Sequence, residues 1–156
     1  MNERKTPSHP HYQALLQLLR TADTLWNASR IFFARWDLSP SQFNVLNLLS
    51  SQPDGYSQIE LGRLLLTHRS NVTGLVDRLE RRGLIRRRDA ASDRRAYRVG
   101  LTADGRRLLG QVLPEYYLAA DGVWAGFPAV RAKSLAADLE RLGANAEKWM
   151  QTKEEP

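Results

Sequence analysis

The sequence predicts a mainly α-helical fold with a small β-hairpin, in which long terminal dimerisation helices flank a winged helix-turn-helix head. Three observations lead to this fold class. Residues 69–83 have the apolar spacing of an amphipathic helix, a short capped helix precedes them, and two strand-like runs follow them. Apolar residues also recur through long segments at both ends of the chain, which is more apolar surface than a head of this size needs.

The chain begins with a polar arm, which is followed by a long helix. The arm, residues 1–11, contains His9 and His11, but no cysteine, aspartate or further histidine lies close to them in sequence. We therefore expect a solvated arm and no metal site. Leucines and aromatic residues recur at helical spacing over residues 12–36, and their wide apolar stripe predicts a helix that faces more than one neighbour.

Two capping boxes mark the first helix starts of the head. Ser39 is followed by a proline at the first helical position and by Gln42 as its return partner. Ser57 and Glu60 repeat this arrangement after a turn at residues 52–55. The residues expected to be buried in these two helices are Phe43, Leu46, Leu49, Ile59, Leu61, Leu64 and Leu65.

The segment 69–83 is predicted to be a DNA-reading helix, with Thr67 as its N-cap and Gly83 as its C′ residue. The opposite face from its apolar stripe carries small polar residues near the N-terminal end and arginines behind them. Such a face suits a helix that enters a major groove. The apolar stripe consists of Val72, Leu75, Val76 and Leu79. The outward residues are Ser70, Asn71, Thr73, Gly74, Asp77, Arg78 and Arg81.

A hairpin is predicted directly after this helix. Residues 84–88 and 97–101 have the composition of strands, and the polar stretch 89–95 between them is predicted to be a charged loop. Helix, helix, reading helix and two-stranded wing is the element order of a winged helix-turn-helix.

The C-terminal part is predicted to contain two helices. Thr102 starts a long helix that continues past a kink at Pro114, and the Gly-Phe-Pro run at residues 126–128 ends it. A last helix with an apolar stripe runs to about Met150.

The chain is accordingly divided into three sections. Residues 1–36 form an arm and a first dimerisation helix, residues 37–102 form the DNA-binding head, and residues 103–156 form the C-terminal dimerisation helices. Because the outer helices have surplus apolar surface, we expect a second copy of the chain to cover it in a twofold homodimer.

Composition narrows the class of partner. The formal net charge is +6, and the arginines concentrate between Arg63 and Arg107, so a polyanion such as nucleic acid is expected to bind there. No apolar run is long enough to span a membrane and no signal peptide opens the chain, so we expect a cytoplasmic protein. The absence of cysteine excludes disulfides and thiolate chemistry. No phosphate loop, dinucleotide fingerprint, zinc-protease motif or nucleophile elbow is present, so neither an enzyme nor a cofactor is predicted.

Four stretches resemble the MarR family of bacterial transcriptional regulators: SQIELGRLL (57–65), SNVTGLVDRLERRGLIRR (70–87), SDRR (92–95) and LTADG (101–105). The resemblance covers the head and wing, whereas the outer helices agree with the family only in length and pattern. It implies a homodimeric winged-helix protein, usually a repressor, whose affinity for a pseudo-palindromic operator is lowered by a small aromatic or phenolic ligand.

The resemblance also implies site residues. The reading helix would contact bases or phosphates, Asp93 would brace an arginine, and Arg94 or Arg95 would reach the adjacent minor groove. Gly74 has two interpretations, close backbone approach to DNA or plain sequence drift, and His68 either donates to a phosphate or packs locally in the turn. The candidate DNA-binding residues are His68, Arg69, Ser70, Asn71, Thr73, Gly74, Arg78, Arg94 and Arg95.

Aromatic residues near arginines suggest an effector pocket with cationic groups at its edge, which would suit an aromatic carboxylate. Core or dimer-interface packing is the competing interpretation of the same residues. The candidate effector-binding residues are Trp26, Arg30, Phe33, Trp36 and Tyr116. At the level of function, the alternatives to a sequence-specific regulator are a nonspecific architectural DNA binder and a winged-helix interaction module that responds to no ligand.

Overall fold

Six helices and a three-stranded sheet make up the part of the chain that the computed structural model describes, residues 9–65, 69–90 and 93–154. Side chains are described throughout these ranges except at residues 69, 70, 89, 90, 93–96, 153 and 154. The elements in chain order are α1 (Pro10–Ala34), α2 (Pro40–Ser50), β1 (Tyr56–Ser57), α3 (Gln58–Leu64), α4 (Arg69–Arg81), β2 (Ile85–Ala90), β3 (Asp93–Leu101), α5 (Ala103–Val123) and α6 (Ala129–Glu154).

The chain forms two compact units, Met1–Val112 and Leu113–Pro156. The first unit contains α1 to α4, the sheet and the N-terminal half of α5. The second unit contains the rest of α5, which continues through Pro114, and the whole of α6. The helix break predicted at residues 126–128 is confirmed, since α5 ends at Val123 and α6 begins at Ala129.

Both predicted capping boxes are confirmed. The Ser39 hydroxyl accepts a hydrogen bond from the Gln42 N–H at 3.2 Å, and the Gln42 side chain accepts from the Ser39 N–H at 2.8 Å. The corresponding distances between Ser57 and Glu60 are 3.2 and 2.7 Å. These reciprocal bonds satisfy backbone donors that have no partner within the helix, and they therefore fix where α2 and α3 begin.

The predicted end of the reading helix α4 is confirmed as well. Gly83 has a φ of +71°, which a side chain would strain. The N–H of Leu84 donates to the Leu79 carbonyl at 3.0 Å, and the N–H of Gly83 donates to the Glu80 carbonyl at 2.8 Å. This pair of bonds is a Schellman motif, which closes the helix and turns the chain into β2.

The head has one continuous core, and the apolar face predicted for α4 lies in it. Phe33 of α1 stacks on Phe43 of α2 with ring centroids 4.3 Å apart, which joins the first helix to the head. The buried apolar residues are Phe33, Leu38, Phe43, Val45, Leu46, Leu49, Leu61, Val72, Leu75, Val76, Leu79, Leu84, Ile85, Val99, Leu101, Leu109 and Val112.

Two of the residues expected to be buried in α3 are exposed instead. Leu61 is fully buried, but Ile59 is 51% and Leu64 is 50% exposed, so the prediction for these two was wrong. Ile59 lies about 200° around the helix from Leu61, and α3 has only seven residues, so its inward face is about one residue wide. Leu64 lies in the last turn of α3, where the helix ends.

The sheet is larger than predicted. Its strand order is β1-β3-β2, all antiparallel, and β1 is a two-residue strand that the sequence analysis missed. The prediction that residues 89–95 form a loop was wrong, because β2 continues to Ala90 and β3 begins at Asp93. Backbone pairing in an exposed ribbon needs no apolar side chains, so these charged residues can still form strands.

Two further predictions concern the N-terminal arm and the cap of α4. His9 is the N-cap residue of α1 and His11 is already helical, so the arm predicted for residues 1–11 is shorter at its C-terminal end. Residues 1–8 and the proposed cap Thr67 lie outside the described residues.

Long apolar rows are exposed on the outer helices of the single chain. On α1 they include Tyr12, Leu15, Leu19, Leu25, Trp26 and Ile31. On α6 they include Val130, Leu135, Leu139, Leu142, Trp149 and Met150.

A close backbone contact joins the end of α4 to the start of α5. The Thr102 hydroxyl donates to the Gly83 carbonyl at 2.6 Å and accepts from the Gly105 N–H at 3.0 Å. Gly105 is buried, and a Cβ on it would lie 2.0 Å from the Leu84 carbonyl oxygen. Only glycine fits this position without a backbone shift.

We therefore expect Gly105→Ala to lower the free energy of unfolding by about 1–3 kcal/mol through overpacking. Gly110→Ala, on the same helix but facing open space, is the control and is expected to raise stability by up to about 1 kcal/mol. Urea denaturation followed by circular dichroism measures both. Equal effects of the two substitutions would contradict the contact.

Candidate nucleic-acid interface

The outward face of α4 is polar and exposed, as its sequence predicted. Asn71 lies near its N-terminal end, and Arg78 and Arg81 lie towards its C-terminal end. The backbone of Arg69 and Ser70 forms the first turn of α4, but their side chains are not described, and His68 lies outside the described residues.

Thr73 has a partner within the head. Its hydroxyl donates to the Gln58 side-chain oxygen at 3.0 Å, and Gln58 is the first residue of α3. The side chain is half-buried, so this candidate DNA-binding residue also holds the two helices of the helix-turn-helix together. A change at Thr73 would therefore disturb the helix pair as well as any base contact.

Gly74 lies on the outward side of α4, near the middle of the helix. A Cβ there would meet only the flexible Arg78 guanidinium, at an ordinary 3.5 Å. Packing inside the protein therefore does not require glycine, although glycine costs about 1 kcal/mol relative to alanine in a helix. A requirement for glycine would have to come from something that approaches α4 from outside.

The wing is the β2–β3 hairpin. Arg94 and Arg95 lie near the start of β3, but their side chains and that of Asp93 are not described. Near the tip Ala90 pairs with Asp93, and Ala90 lies five residues beyond Ile85 at the buried base, so the hairpin extends about 17 Å from its base. A hairpin of this length can reach beyond the groove that α4 would occupy.

Arg87 of β2 connects the wing to α4, and sequence reasoning missed this contact. Its guanidinium forms ion pairs with the carboxylates of Asp77 and Glu80, and its backbone N–H donates to Glu80 Oε1 at 2.8 Å. Partial burial disfavours the charged form, but the hydrogen bonds to Asp77 and Glu80 outweigh it, so the pKa of Arg87 is raised above its ordinary value.

Arg98 fixes the middle of β3 to the start of the helix-turn-helix. Its guanidinium donates to the carbonyls of Asp54 at 3.1 Å and Gly55 at 2.6 Å, and it lies 3.7 Å from the Glu60 carboxylate. The pKa of Glu60 is lowered, chiefly because its carboxylate accepts the backbone N–H of Ser57, and Arg98 adds to the effect.

A cavity of about 270 Å³ lies between α1 and the start of α2. Trp26 and Arg30, two of the five effector candidates, line it together with Leu38, Ser39 and Pro40. An indole and a guanidinium that face the same space could hold an aromatic ring and an anionic group.

The other three effector candidates do not line this cavity. Phe33 is 1% exposed and belongs to the core. Trp36 packs under the Arg35 guanidinium, 4.1 Å from its ring centroid. Tyr116 is half-buried in the second unit.

Arg82, just after α4, binds the turn that leads into this cavity wall. It donates to the carbonyls of Trp36, at 3.2 Å, and Asp37, and it lies 3.5 Å from the Asp37 carboxylate. Asp37 has a φ of +53°, a conformation that few residues other than glycine adopt. Residues 38–40, which follow at once, form one side of the cavity.

Two negative findings apply to the described ranges. Within them, no group of three or more histidine, cysteine, aspartate or glutamate side chains could hold a metal ion. No helix in those ranges combines the length and the apolarity that crossing a membrane requires.

Comparison with known proteins identifies relatives of this architecture. The sequence profile of the MarR family matches residues 36–96. The transcriptional regulator PapX of Escherichia coli is 32% identical over 106 residues, which cover 66% of this chain and 65% of PapX. The crystal structure of the transcriptional regulator SlyA superimposes with a TM-score of 0.78 at 25% identity and covers 89% of this chain and 98% of SlyA. The head of the chain, over residues 36–96, matches the MarR family.

Two solved structures with bound molecules are also similar to this chain. The transcriptional repressor CouR bound to a 23-mer DNA duplex has a TM-score of 0.72 at 29% identity and covers 81% of this chain and 89% of CouR. CouR from Rhodococcus jostii RHA1 bound to p-coumaroyl-CoA has a TM-score of 0.75 at 27% identity, with 81% and 88% covered.

The match to the MarR family confirms the resemblance noted from the motifs, and the similar solved structures confirm the predicted fold class. The family's members are transcriptional regulators rather than enzymes, which agrees with the prediction from the motifs. The chain spans just under two thirds of the length of curated relatives such as PapX and HosA of Escherichia coli, of which the matches cover 65% and 63%.

The lowered pKa of Glu60 predicts a pH-dependent contribution to the stability of this MarR head. A lowered carboxylate pKa contributes stability above the ordinary value of 4.5, and the contribution is lost as the pH falls through the folded value. We expect the wild type to exceed Glu60→Gln in free energy of unfolding at pH 7, and the difference to shrink as the pH falls below 4.5 through the lowered pKa of Glu60. Glutamine keeps the capping hydrogen bond, so the charge alone is tested. Urea unfolding at stepped pH measures it, and a pH-independent difference would contradict the assignment.

Proposed function

We propose that this protein is a sequence-specific transcriptional repressor that binds a pseudo-palindromic operator as a homodimer. The observation that carries the proposal is the division of α4 into a buried apolar face and an exposed polar face next to a basic hairpin. α4 lies in the major groove in this proposal, and the wing lies in the adjacent minor groove. In support, CouR, a similar protein, has been solved with a DNA duplex.

The homodimer is supported by the apolar rows on the outer helices. Trp149 is 65% and Val130 is 65% exposed on α6, and α1 exposes Leu19 to 60%. Exposed apolar rows on both outer helices favour a covered interface over free solvent. Two heads related by a twofold axis would read half-sites about 34 Å apart.

A nonspecific DNA binder is the second candidate, and the sheet supplies the observation that favours it. Arg86 and Arg88 are exposed on β2, and they alternate with Arg87, which points towards α4. Arginines that contact only phosphates give affinity without sequence preference. The two candidates differ in the ratio of specific to nonspecific affinity.

An effector-responsive repressor is proposed on the basis of the cavity beside Trp26 and Arg30. An aromatic carboxylate suits these two side chains, and CouR, which is similar to this chain, has been solved with p-coumaroyl-CoA. The turn held by Arg82 gives the cavity a direct connection to the end of α4, through which occupancy would lower the affinity for DNA.

Selection from a random duplex library, followed by mobility-shift titration, tests the DNA function. We expect the selected site to bind about 10³-fold or more tightly than random DNA. Asn71→Ala should weaken the selected site by about 1–3 kcal/mol while leaving random DNA nearly unchanged. Asn47→Ala, an exposed asparagine on α2, is the control. If no duplex binds better than random DNA, the protein is not a sequence-specific repressor.

Thermal unfolding with a panel of aromatic carboxylates tests the effector. A ligand at about 100 times its Kd should stabilise the folded protein by about 2.7 kcal/mol and raise the Tm by several degrees. Arg30→Met should abolish the shift, whereas Arg20→Met, which also removes an exposed arginine of α1, should not. A shift that survives Arg30→Met would place the ligand elsewhere.

A further inference from the structure

We infer that Arg87 is a positioning residue for DNA recognition, because its guanidinium fixes the angle between the wing and α4. This inference rests on the proposed function, and it assigns a role to a residue outside the predicted DNA-binding set. Arg87 need not touch DNA. It would act by holding the hairpin so that the wing and α4 meet two neighbouring grooves at once.

Arg87 and its two carboxylate partners, Asp77 and Glu80, connect β2 to α4, and we call this set of contacts the bracket. One guanidinium nitrogen of Arg87 pairs with Glu80 and the other with Asp77, two carboxylates three residues apart on α4. The backbone N–H of Arg87 adds a third bond to Glu80, at 2.8 Å. A planar guanidinium can serve two carboxylates at fixed angles, which the single ammonium of a lysine cannot do.

Among the described side chains of the wing, those at its base are held by apolar packing. Ile85 and Val99 are buried, but Tyr97, two residues further towards the tip, is 54% exposed. Arg87 pairs with Val99 in the sheet register, so the bracket lies at the border between the buried and the exposed parts of the hairpin. Among the described side chains of β2, Arg87 is the outermost one with an ion pair to α4.

A change of angle at this border displaces the tip. The end of β2 at Ala90 lies three residues, about 10 Å, beyond Arg87, so a tilt of about 10° would move the tip by about 2 Å. The minor groove is only about 6 Å wide. A wing without its bracket would therefore be less well aligned with the groove.

Arg87 has a second effect that must be separated from the first. Asp77 is half exposed on α4, and without Arg87 its charge and that of Glu80 would repel DNA phosphates. Loss of affinity alone therefore does not distinguish positioning from charge. The distinction requires a measurement confined to the wing.

The experiment compares two duplexes: the selected operator, and the same operator trimmed of the flanking segments that the wing would contact. We define the flank ratio as the Kd for the trimmed duplex divided by the Kd for the full one. For the wild type we expect a flank ratio of about 10 or more, which is the loss of affinity expected when one or two good groove contacts are removed. For Arg87→Met we expect a ratio near 1, with the Kd for the trimmed duplex changed by less than about threefold. Arg87→Lys should give an intermediate ratio.

Two further variants remove the charge explanation. Arg87→Met combined with Asp77→Asn and Glu80→Gln leaves no uncompensated carboxylate, and positioning predicts that its flank ratio stays near 1. Arg20→Met removes the same charge from the exposed surface of α1, outside the wing, and should keep the wild-type ratio. Circular dichroism and urea unfolding establish that each variant folds. If Arg87→Met does not fold, the flank ratio of Arg87→Lys is the test.

Each remaining outcome overturns the inference. A wild-type flank ratio for Arg87→Met, restoration of that ratio in the triple variant, or an equal loss in Arg20→Met would remove the positioning role. A wild type that binds its operator with a flank ratio near 1 would show that the wing is not used. A wild type without any preferred duplex would instead overturn the proposed function, and the inference would fall with it.

Discussion

The burial of one face of α4 is the constraint on which the rest of the head depends. Val72, Val76 and Leu79 are fully buried, so the rotation of this helix about its axis is fixed by the core. The polar residues at the intervening positions are consequently held outward. Because the apolar and polar faces belong to the same thirteen-residue helix, a change that rotates the buried face also rotates the polar face.

The elements around α4 transmit this fixed orientation to the wing and to the first helix. The Schellman turn at Gly83 delivers the chain into β2, and Arg87 ties β2 back to α4. At the other side, Arg98 holds β3 to the turn before α3. The elements of the head are therefore held together both by the apolar core and by hydrogen bonds and ion pairs from arginines.

The parts of the fold that depend on neighbours within four residues could be predicted from the sequence. The boxes at Ser39 and Ser57, the helix end at Gly83 and the apolar face of α4 are of this kind. The two-residue strand β1 could not be predicted, because a run so short has no period. The extent of the wing strands was missed because their pairing uses backbone groups, to which side-chain polarity is a poor guide.

The site was predicted less completely, for a related reason. The sequence Arg86-Arg87-Arg88 contains three equivalent side chains, and only the sheet register shows that the middle one faces the carboxylates of α4. Phe33 and Trp26 lie on the same helix and have similar neighbours in sequence. Phe33 nevertheless belongs to the core, whereas Trp26 lines a cavity. The pair Asp77 and Glu80 at helical spacing was the one available signal for the bracket.

The left-handed backbone conformation of Asp37 links the turn before α2 to the end of α4. This conformation costs on the order of 1 kcal/mol and is maintained by Arg82, whose own position is set by the end of α4. Opening of this turn would therefore release Arg82, and fraying of the end of α4 would remove the hydrogen bonds that hold the turn. A single aspartate outside every regular element thereby lies at the contact between the end of the first helix and the end of α4.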